Sequence, residues 1–415
     1  MYGSSKINLS TLTREQAEHL GQLAVMSRQL YNRAMQEIID TYEHKGEVLD
    51  YKNLKQLIKD SEEYRNITGF YYAIICSAIA DFKKYISTDM YVLNKSDRTI
   101  TEKNLDKFYP PKLRDEPRAI EIKQPFIEDG YVMLPATRLT PQIFLKIPEC
   151  YRDKDIKTVT VRPLHKMTHW ELIITYPVEA VHHAELDRSR ALGIDLGMVN
   201  FATCADSLTG ETFIVDGKGL KSILQGYCKY LSVLRRASHK NRTKRIDRLK
   251  IRTYNRVNDF AGKSSAYIIG YCLEHGIGKL CLGWGTHFQG NGSGENHSLG
   301  MNNQLFFLFP FARFKTALEG KCKKHGIELI LVDECYTSLA SVLDNDPLPE
   351  HVTGARHEFS GKRIHRGMYM SENGIKINAD QNAVYNILKK SSVALPFLVG
   401  ADGRGLMPPY RVQVI

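Results

Sequence analysis

The sequence predicts an α+β chain of more than one domain: a helical block set beside a small β-barrel, then an α/β domain. Three observations predict it. Apolar residues recur at helical spacing from about 13 to 88, first as Leu20, Leu23, Ala24, Leu30 and Tyr31, then from Tyr71 to Phe82. From about 119 to 177 the pattern turns to β-rich alternation at Ile120, Ile122, Tyr131, Val132, Leu134, Thr158, Val159 and Val161, and again from Trp170 to Tyr176. After Asp187 come three hairpin-linked strands (191–195, 201–205, 212–215), a long helical stretch at about 219–275, and a strand at 279–282. A helix at 311–325, a strand at 327–332 and a helix at 380–390 complete the series. That is the order of an RNase H-like domain.

Punctuation between these segments sets the expected boundaries. Pro110-Pro111 ends the helical pattern, and Asp129-Gly130 and Thr209-Gly210 mark turns. The segment 285–303, rich in Gly and Asn, reads as a mobile loop. The domains expected are 1–187, 188–395 with a loop insertion at 335–377, and a tail at 396–415.

The chain has 415 residues, 43% of them hydrophobic, ample for buried cores. Its net charge of +11 and pI near 9.1 favour a polyanionic partner such as nucleic acid. No apolar run is long enough to span a bilayer, and the polar start from Met1 to Ser10 lacks a signal-peptide core, so a cytosolic protein is expected. Cysteines stand at 76, 150, 204, 228, 272, 281, 322 and 335, with no two separated by two to four residues. No zinc-ribbon spacing exists, and most of them read as small apolar residues.

Metal-dependent phosphodiester cleavage needs carboxylates that converge on one point, where two Mg²⁺ ions about 4 Å apart act on the attacking and leaving oxygens. Asp195 ends the first strand of the α/β domain in Gly193-Ile194-Asp195-Leu196-Gly197; an Asp that merely caps a turn would look the same. Asp380 opens the last helix in Asn378-Ala379-Asp380-Gln381-Asn382, where an Asp is also a good helix starter. The usual place for a third acid is the end of the fourth strand, Lys279-Leu280-Cys281-Leu282-Gly283-Trp284, and it holds Gly283. The fifth strand ends in Val332-Asp333-Glu334-Cys335. With strands about 4.8 Å apart, the fifth lies about 10 Å from the first, and a glutamate can lean over a glycine between them. Glu334 is therefore the expected third ligand. Asp333, shorter and on the opposite face, is the alternative, and two solvated acids at a strand end are the bland reading.

From Lys218 to Arg256 the only acid is Asp247. Against it stand twelve further cations, among them Lys240, Arg242, Lys244, Arg245, Arg248 and Arg252. Leu220, Ile223, Leu224, Tyr227, Leu231 and Leu234 form an apolar stripe on the same stretch, so one side packs and the other offers cations. A one-signed face of this length suits a phosphate backbone, although a solvated face is the alternative. A second cluster, Ser360 to Gly367, carries Lys362, Arg363 and Arg366 and reads either as a strand-binding loop or as a solvated one.

Together these residues resemble the TnpB proteins of insertion sequences. Gly193-Ile194-Asp195-Leu196-Gly197 is similar to their first RuvC motif and Asn378-Ala379-Asp380-Gln381-Asn382 to the third. Tyr336-Thr337-Ser338-Leu339-Ala340-Ser341 and Phe359-Ser360-Gly361-Lys362-Arg363 resemble a branch that lacks the zinc ribbon, with the second-motif glutamate two residues before Tyr-Thr-Ser, here Glu334. The resemblance covers roughly 188–390 by motif and the N-terminal half by order of elements. It implies a wedge-like β-barrel with an inserted helical recognition block and a RuvC-like nuclease domain, with 335–377 at the zinc-ribbon position. It also implies a guide RNA, a double-stranded DNA target beside a short adjacent motif, Mg²⁺ (with Mn²⁺ as substitute) at Asp195, Glu334 and Asp380, and a prokaryotic, nucleoid-associated location. Sequence reading would then be delegated to base pairing. The other readings are a nuclease-silent RNA-guided regulator, a CRISPR-associated effector derived from TnpB, and a guide-independent nuclease of structured DNA.

Overall fold

A short strand, β1 (Tyr2–Asn8), precedes a helix that Thr13 starts by a capping box: its hydroxyl accepts from Gln16 N at 3.1 Å while Gln16 Oε1 accepts from Thr13 N at 2.9 Å. This helix, α1 (Arg14–Lys45), runs 32 residues and stops at Gly46, whose φ of 69° is the left-handed cap. The computed structural model describes residues 2–9, 11–67, 69–95, 113–164, 167–181, 183–285, 301–350, 357–398 and 406–414. Pro110-Pro111 and most of the Gly/Asn-rich segment lie outside them. The chain divides into two compact units, Met1–Val178 and Glu179–Ile415.

In the first unit α1 is followed by α2 (Tyr51–Ile58), α3 (Glu62–Asn66) and α4 (Tyr71–Lys95). The strands are β2 (Ile120–Lys123), β3 (Phe126–Glu128), β4 (Tyr131–Leu134), β5 (Ile143–Lys146), β6 (Thr158–Leu164) and β7 (His169–Pro177). They form two antiparallel sheets, β1-β7-β6-β2 and β3-β4-β5, with no ladder joining them among the described residues. The closed barrel expected from the sequence is therefore not formed there. Both sheets instead share one apolar core with the helices, Leu20, Leu30, Ile38, Ile75 and Phe82 packing with Val132, Leu145, Val161 and Leu172. Alternation in a strand records which residues face a core, and it is the same whether two sheets close or stack.

The second unit has β8 (Asp187–Leu196), β9 (Asn200–Asp206), β10 (Thr212–Asp216), α5 (Lys218–Ser238), α6 (Lys244–Glu274) and β11 (Ile277–Gly283). After these come α7 (Met301–Leu308), α8 (Phe311–His325), β12 (Glu328–Val332), β13 (Lys362–His365), β14 (Met368–Met370), β15 (Lys376–Asn378), α9 (Ala379–Lys390) and β16 (Tyr410–Val412). Six strands make one sheet in the order β12-β11-β8-β9-β10-β16. The β8–β9–β10 hairpins are antiparallel, and β11 and β12 add parallel to β8 on its other side, the order predicted for the five expected strands. The sixth, β16, pairs parallel to β10 where the sequence suggests only a tail; three residues are too few to show an alternation.

Side-chain alternation along β8 gives each face of the sheet its own core. Leu192, Ile194 and Leu196 join Phe201, Phe213, Leu224, Phe260 and Phe314 on the side of α5, α6 and α8. Ala191 joins Val384, Tyr385, Ile387 and Leu388 of α9 on the other. Asp195, two residues from Gly193, shares the α9 side. At Gly193 an added Cβ would lie 2.7 Å from Leu388 Cγ and 3.0 Å from Val384 Cγ2, so α9 crosses β8 there at a distance only glycine allows. A methyl in that gap would overpack it by about 1–3 kcal/mol.

The predicted stretch at 219–275 is two helices. His239 takes φ 49° at the end of α5, and Thr243 accepts from Ile246 N at 3.2 Å to begin α6. The cluster Ser238-His239-Lys240-Asn241-Arg242-Thr243 carries that turn in residue types that favour turns and caps. No helix among the described residues is long and apolar enough to cross a membrane.

Candidate active site

Asp195 stands at the end of β8, opposite Thr203 in the β8–β9 register. Its carboxyl is pushed well above the usual carboxylate range, first by the bulk of protein around it, then by the negative charges of Glu334 and Asp380; the Arg363 guanidinium pulls the other way. The residue keeps some accessible surface, so the site is crowded rather than sealed.

Glu334 follows the end of β12. A Cβ built on Gly283 would fall 2.8 Å from Glu334 Oε1, 3.0 Å from its Cγ and 2.7 Å from Ile387 Cδ1. The Glu334 side chain thus fills the space that a side chain at 283 would need. The neighbouring registers explain how: Leu282 lies opposite Ile194, and Gly283 opposite Val332. The Glu334 backbone is held by Thr337, whose N and Oγ1 donate to its carbonyl at 3.2 and 2.9 Å. Burial, then the charge of Asp333, raises the Glu334 carboxyl to about 7. Asp333, half exposed, binds Lys390 Nζ at 3.3 Å instead.

Asp380 sits in the first turn of α9, where Asn378 Oδ1 accepts from the N–H groups of Asp380 (2.9 Å) and Gln381 (3.2 Å). Asn200 Nδ2 donates to Asp380 Oδ2, and Arg363 Nη2 lies 3.8 Å from Oδ1. The three predicted acids are therefore gathered from a strand end, a strand-end loop and a helix start. As placed, no three His, Cys, Asp or Glu side chains among the described residues are close enough to enclose a metal ion. The donor set still fits a hard divalent cation, being oxygen-only and self-repelling, and Thr203 Oγ1, opposite Asp195, is buried with no hydrogen-bond partner among the described residues.

The predicted basic residues separate into two sets. Lys240, Lys244, Arg245, Arg248 and Arg252 are exposed at the tip of the α5–α6 hairpin and along α6, and Arg245 also donates to Tyr230 Oη on α5. Arg242 lies 3.3 Å from the buried Asp247, which gives it a role in the fold. The segment 360–367 is ordered: β13-β14-β15 form a small antiparallel sheet leading into α9. Lys362, Arg363 and Arg366 are all exposed there, and Arg363 also reaches towards Asp380.

Three family profiles match the chain. Residues 175–285 match OrfB_IS605, described as "Probable transposase", 311–387 match "Cas12f1-like, TNB domain", and 11–47 match the "Helix-turn-helix domain" of the same OrfB_IS605 group, a segment that here lies mostly in the single helix α1. Together they span just over half of the chain. Two of these profiles, over 11–47 and 175–285, are those of the OrfB_IS605 group, in keeping with the TnpB resemblance of the sequence. Among solved structures, the cryo-EM complex of Cas12f1 with sgRNA and target DNA matches with TM-score 0.51 and 13% identity, over 90% of this chain and 83% of that one. A mini-RNA-guided endonuclease, CRISPR-Cas_phi3, matches with TM-score 0.46 and 10% identity, over 99% and 94%. A comparison with curated proteins finds no match.

The acids have neighbours that the sequence reading did not single out. Asn382 and Asn386 of α9 reach back to the Tyr336–Ser341 segment: Asn382 Oδ1 accepts from Val342 N at 3.0 Å, and the two Nδ2 groups donate to Ala340 O at 2.8 and 2.7 Å. Asn386 Nδ2 also reaches Thr337 O at 2.9 Å. They tie the loop after Glu334 to the helix that begins with Asp380. Their four-residue spacing was a visible signal, since it places both on one helix face. Asn200 had only its position five residues after Asp195 to mark it.

Proposed function

We propose that this chain is an RNA-guided DNA endonuclease of the RuvC type, cutting target DNA beside a short adjacent motif with divalent metal at Asp195, Glu334 and Asp380. The observation that carries this reading is Glu334 lying in the space beside Gly283. It supplies from the fifth strand the carboxylate that the fourth strand lacks, and three like charges with no acid role in the core are left at one sheet end. Two Mg²⁺ ions, when bound, supply Lewis-acid stabilisation of the attacking and leaving oxygens. The chain's own residues do the rest. Asp195 and Glu334, whose carboxyls burial raises, would hold the ions by their oxygens, and Asn200 keeps one oxygen of Asp380 oriented. Arg363 offsets the negative charge from the side of β13. The exposed cations of α5 and α6 serve the phosphate backbone, and the N-terminal helices and sheets serve as the wedge and recognition half for guide RNA and target.

The test is cleavage of a matched target by guide-loaded protein. Asp195→Ala, Glu334→Ala and Asp380→Ala should each abolish cleavage while guided DNA binding stays within a few-fold, since each change removes a metal ligand and leaves the phosphate-binding cations in place. Full cleavage by Glu334→Ala would overturn the relocated-glutamate reading. Binding with no cleavage in the unsubstituted protein would leave the nuclease-silent regulator.

A further inference from the structure

The C-terminal strand reaches the acidic centre through two residues. Arg411 in β16 extends its guanidinium over the edge of the sheet: Nη2 donates to Asn200 Oδ1 at 2.8 Å, and Nη1 lies 3.5 Å from Asp216 Oδ2. Asn200 opens β9, Asp216 closes β10, and the two are register partners beside an irregularity at Val215/Asp216. The β10–β16 register sets Arg411 against Ile214. Asn200 in turn donates through Nδ2 to Asp380 Oδ2. The same C-terminal segment touches the residue after Asp380, because Gln381 Nε2 donates to Met407 O at 3.1 Å.

An asparagine amide can turn end for end, and in one orientation it would present its oxygen to Asp380 and repel it. The guanidinium has only donors, so it admits only the orientation with oxygen toward Arg411 and N–H toward Asp380. Its planar fork reaches two acceptors on two strands at once, which a lysine ammonium on a flexible stem does not reproduce. A positive charge at the carbonyl end also polarises the amide and strengthens the N–H it gives to the carboxylate.

We propose that Arg411 and Asn200 are positioning residues for cleavage: Arg411 fixes the Asn200 amide, which holds Oδ2 of Asp380 and leaves Oδ1 to the acidic centre. This rests on the reading of Asp380 as a metal ligand. Outer partners of metal ligands typically set affinity or activity by about 10–100-fold. The experiment compares Arg411→Ala, Arg411→Lys, Asn200→Ala and, as a control for the strand alone, Tyr410→Ala. Mn²⁺ binding to the full chain without RNA is followed by the EPR signal of free Mn²⁺. In parallel, the Mg²⁺ concentration for half-maximal single-turnover cleavage is measured on guide-loaded protein.

Arg411→Ala and Asn200→Ala should weaken Mn²⁺ binding and raise the Mg²⁺ requirement by about tenfold or more, with guided DNA binding unchanged. Arg411→Lys should fall between, and Tyr410→Ala should match the unsubstituted chain. Unchanged Mn²⁺ binding and Mg²⁺ requirement in Arg411→Ala would overturn the inference. So would an equal loss in Tyr410→Ala that follows the melting temperature, because the strand would then act only as a brace. Asp380→Ala separates the two readings: if it too leaves Mn²⁺ binding and cleavage intact, the acidic centre fails as a whole.

Discussion

At the scale of single residues, the site turns on the exchange between Gly283 and Glu334. The missing side chain on one strand is matched by a long one on the next, and both are needed because a Cβ at 283 would collide with the Glu334 carboxylate. Gly283→Ala should therefore slow single-turnover cleavage, by tenfold or more if the displaced carboxylate is held as an outer-shell change would hold it, at about 10–100-fold. Guided DNA binding should not change. Gly283→Glu combined with Glu334→Ala should cleave faster than Glu334→Ala alone, because the fourth strand then offers the carboxylate where Glu334 stood, once the flexible end of Ile387 has turned aside. Equal rates for that pair would show that the two strand ends do not serve the same position. Glu334 was legible in the sequence from strand spacing and the Gly283 gap. Thr337 and Asn200 were not, because a hydrogen bond to a backbone carbonyl or across two strands leaves no periodic trace.

At the scale of elements, the α5–α6 hairpin separates structural cations from available ones. Arg242 braces the buried Asp247, whereas Lys244, Arg248, Arg252 and Arg256 are exposed at four-residue intervals along α6. A rise of 1.5 Å per residue sets them about 6 Å apart along the helix. Replacing these four by Ala should lower the slope of log K against log salt by about 0.7–0.9 for each phosphate that is no longer neutralised, for matched and mismatched targets alike. Arg242→Ala alone should lower the melting temperature and leave the slope unchanged. A salt slope unaltered in the quadruple variant, measured with guide and target, would mark the face as merely solvated. The sequence identified the charge excess of this stretch. It did not show the turn at His239, since a helical periodicity continues through a short break when both helices pack on the same core.

At the scale of the whole molecule, the chain divides into two units, and the cleavage chemistry proposed here lies in one, 179–415. The other, 1–178, holds none of the three acids. Protein expressed together with the DNA flanking its gene should co-purify with an RNA of defined sequence, identified by sequencing the bound fraction. Purification free of any discrete RNA, with cleavage of structured DNA retained, would favour the guide-independent nuclease instead.

The sequence by itself determined the identity and order of most elements, the charge surplus and the strand-end and helix-start motifs that carry Asp195, Glu334 and Asp380. These are written in local periodicity, in strand-end motifs and in composition, all of which survive in one dimension. Only the tertiary structure decided that the described N-terminal strands pair as two separate sheets, that Arg363 faces the acids, and that the C-terminal residues 410–412 complete the sheet beside β10. The physical reason is common to all three. Sheet closure, the direction of a long flexible side chain and the pairing of a three-residue strand are settled by partners far away in sequence, and a partner's identity is not encoded in the residues it meets.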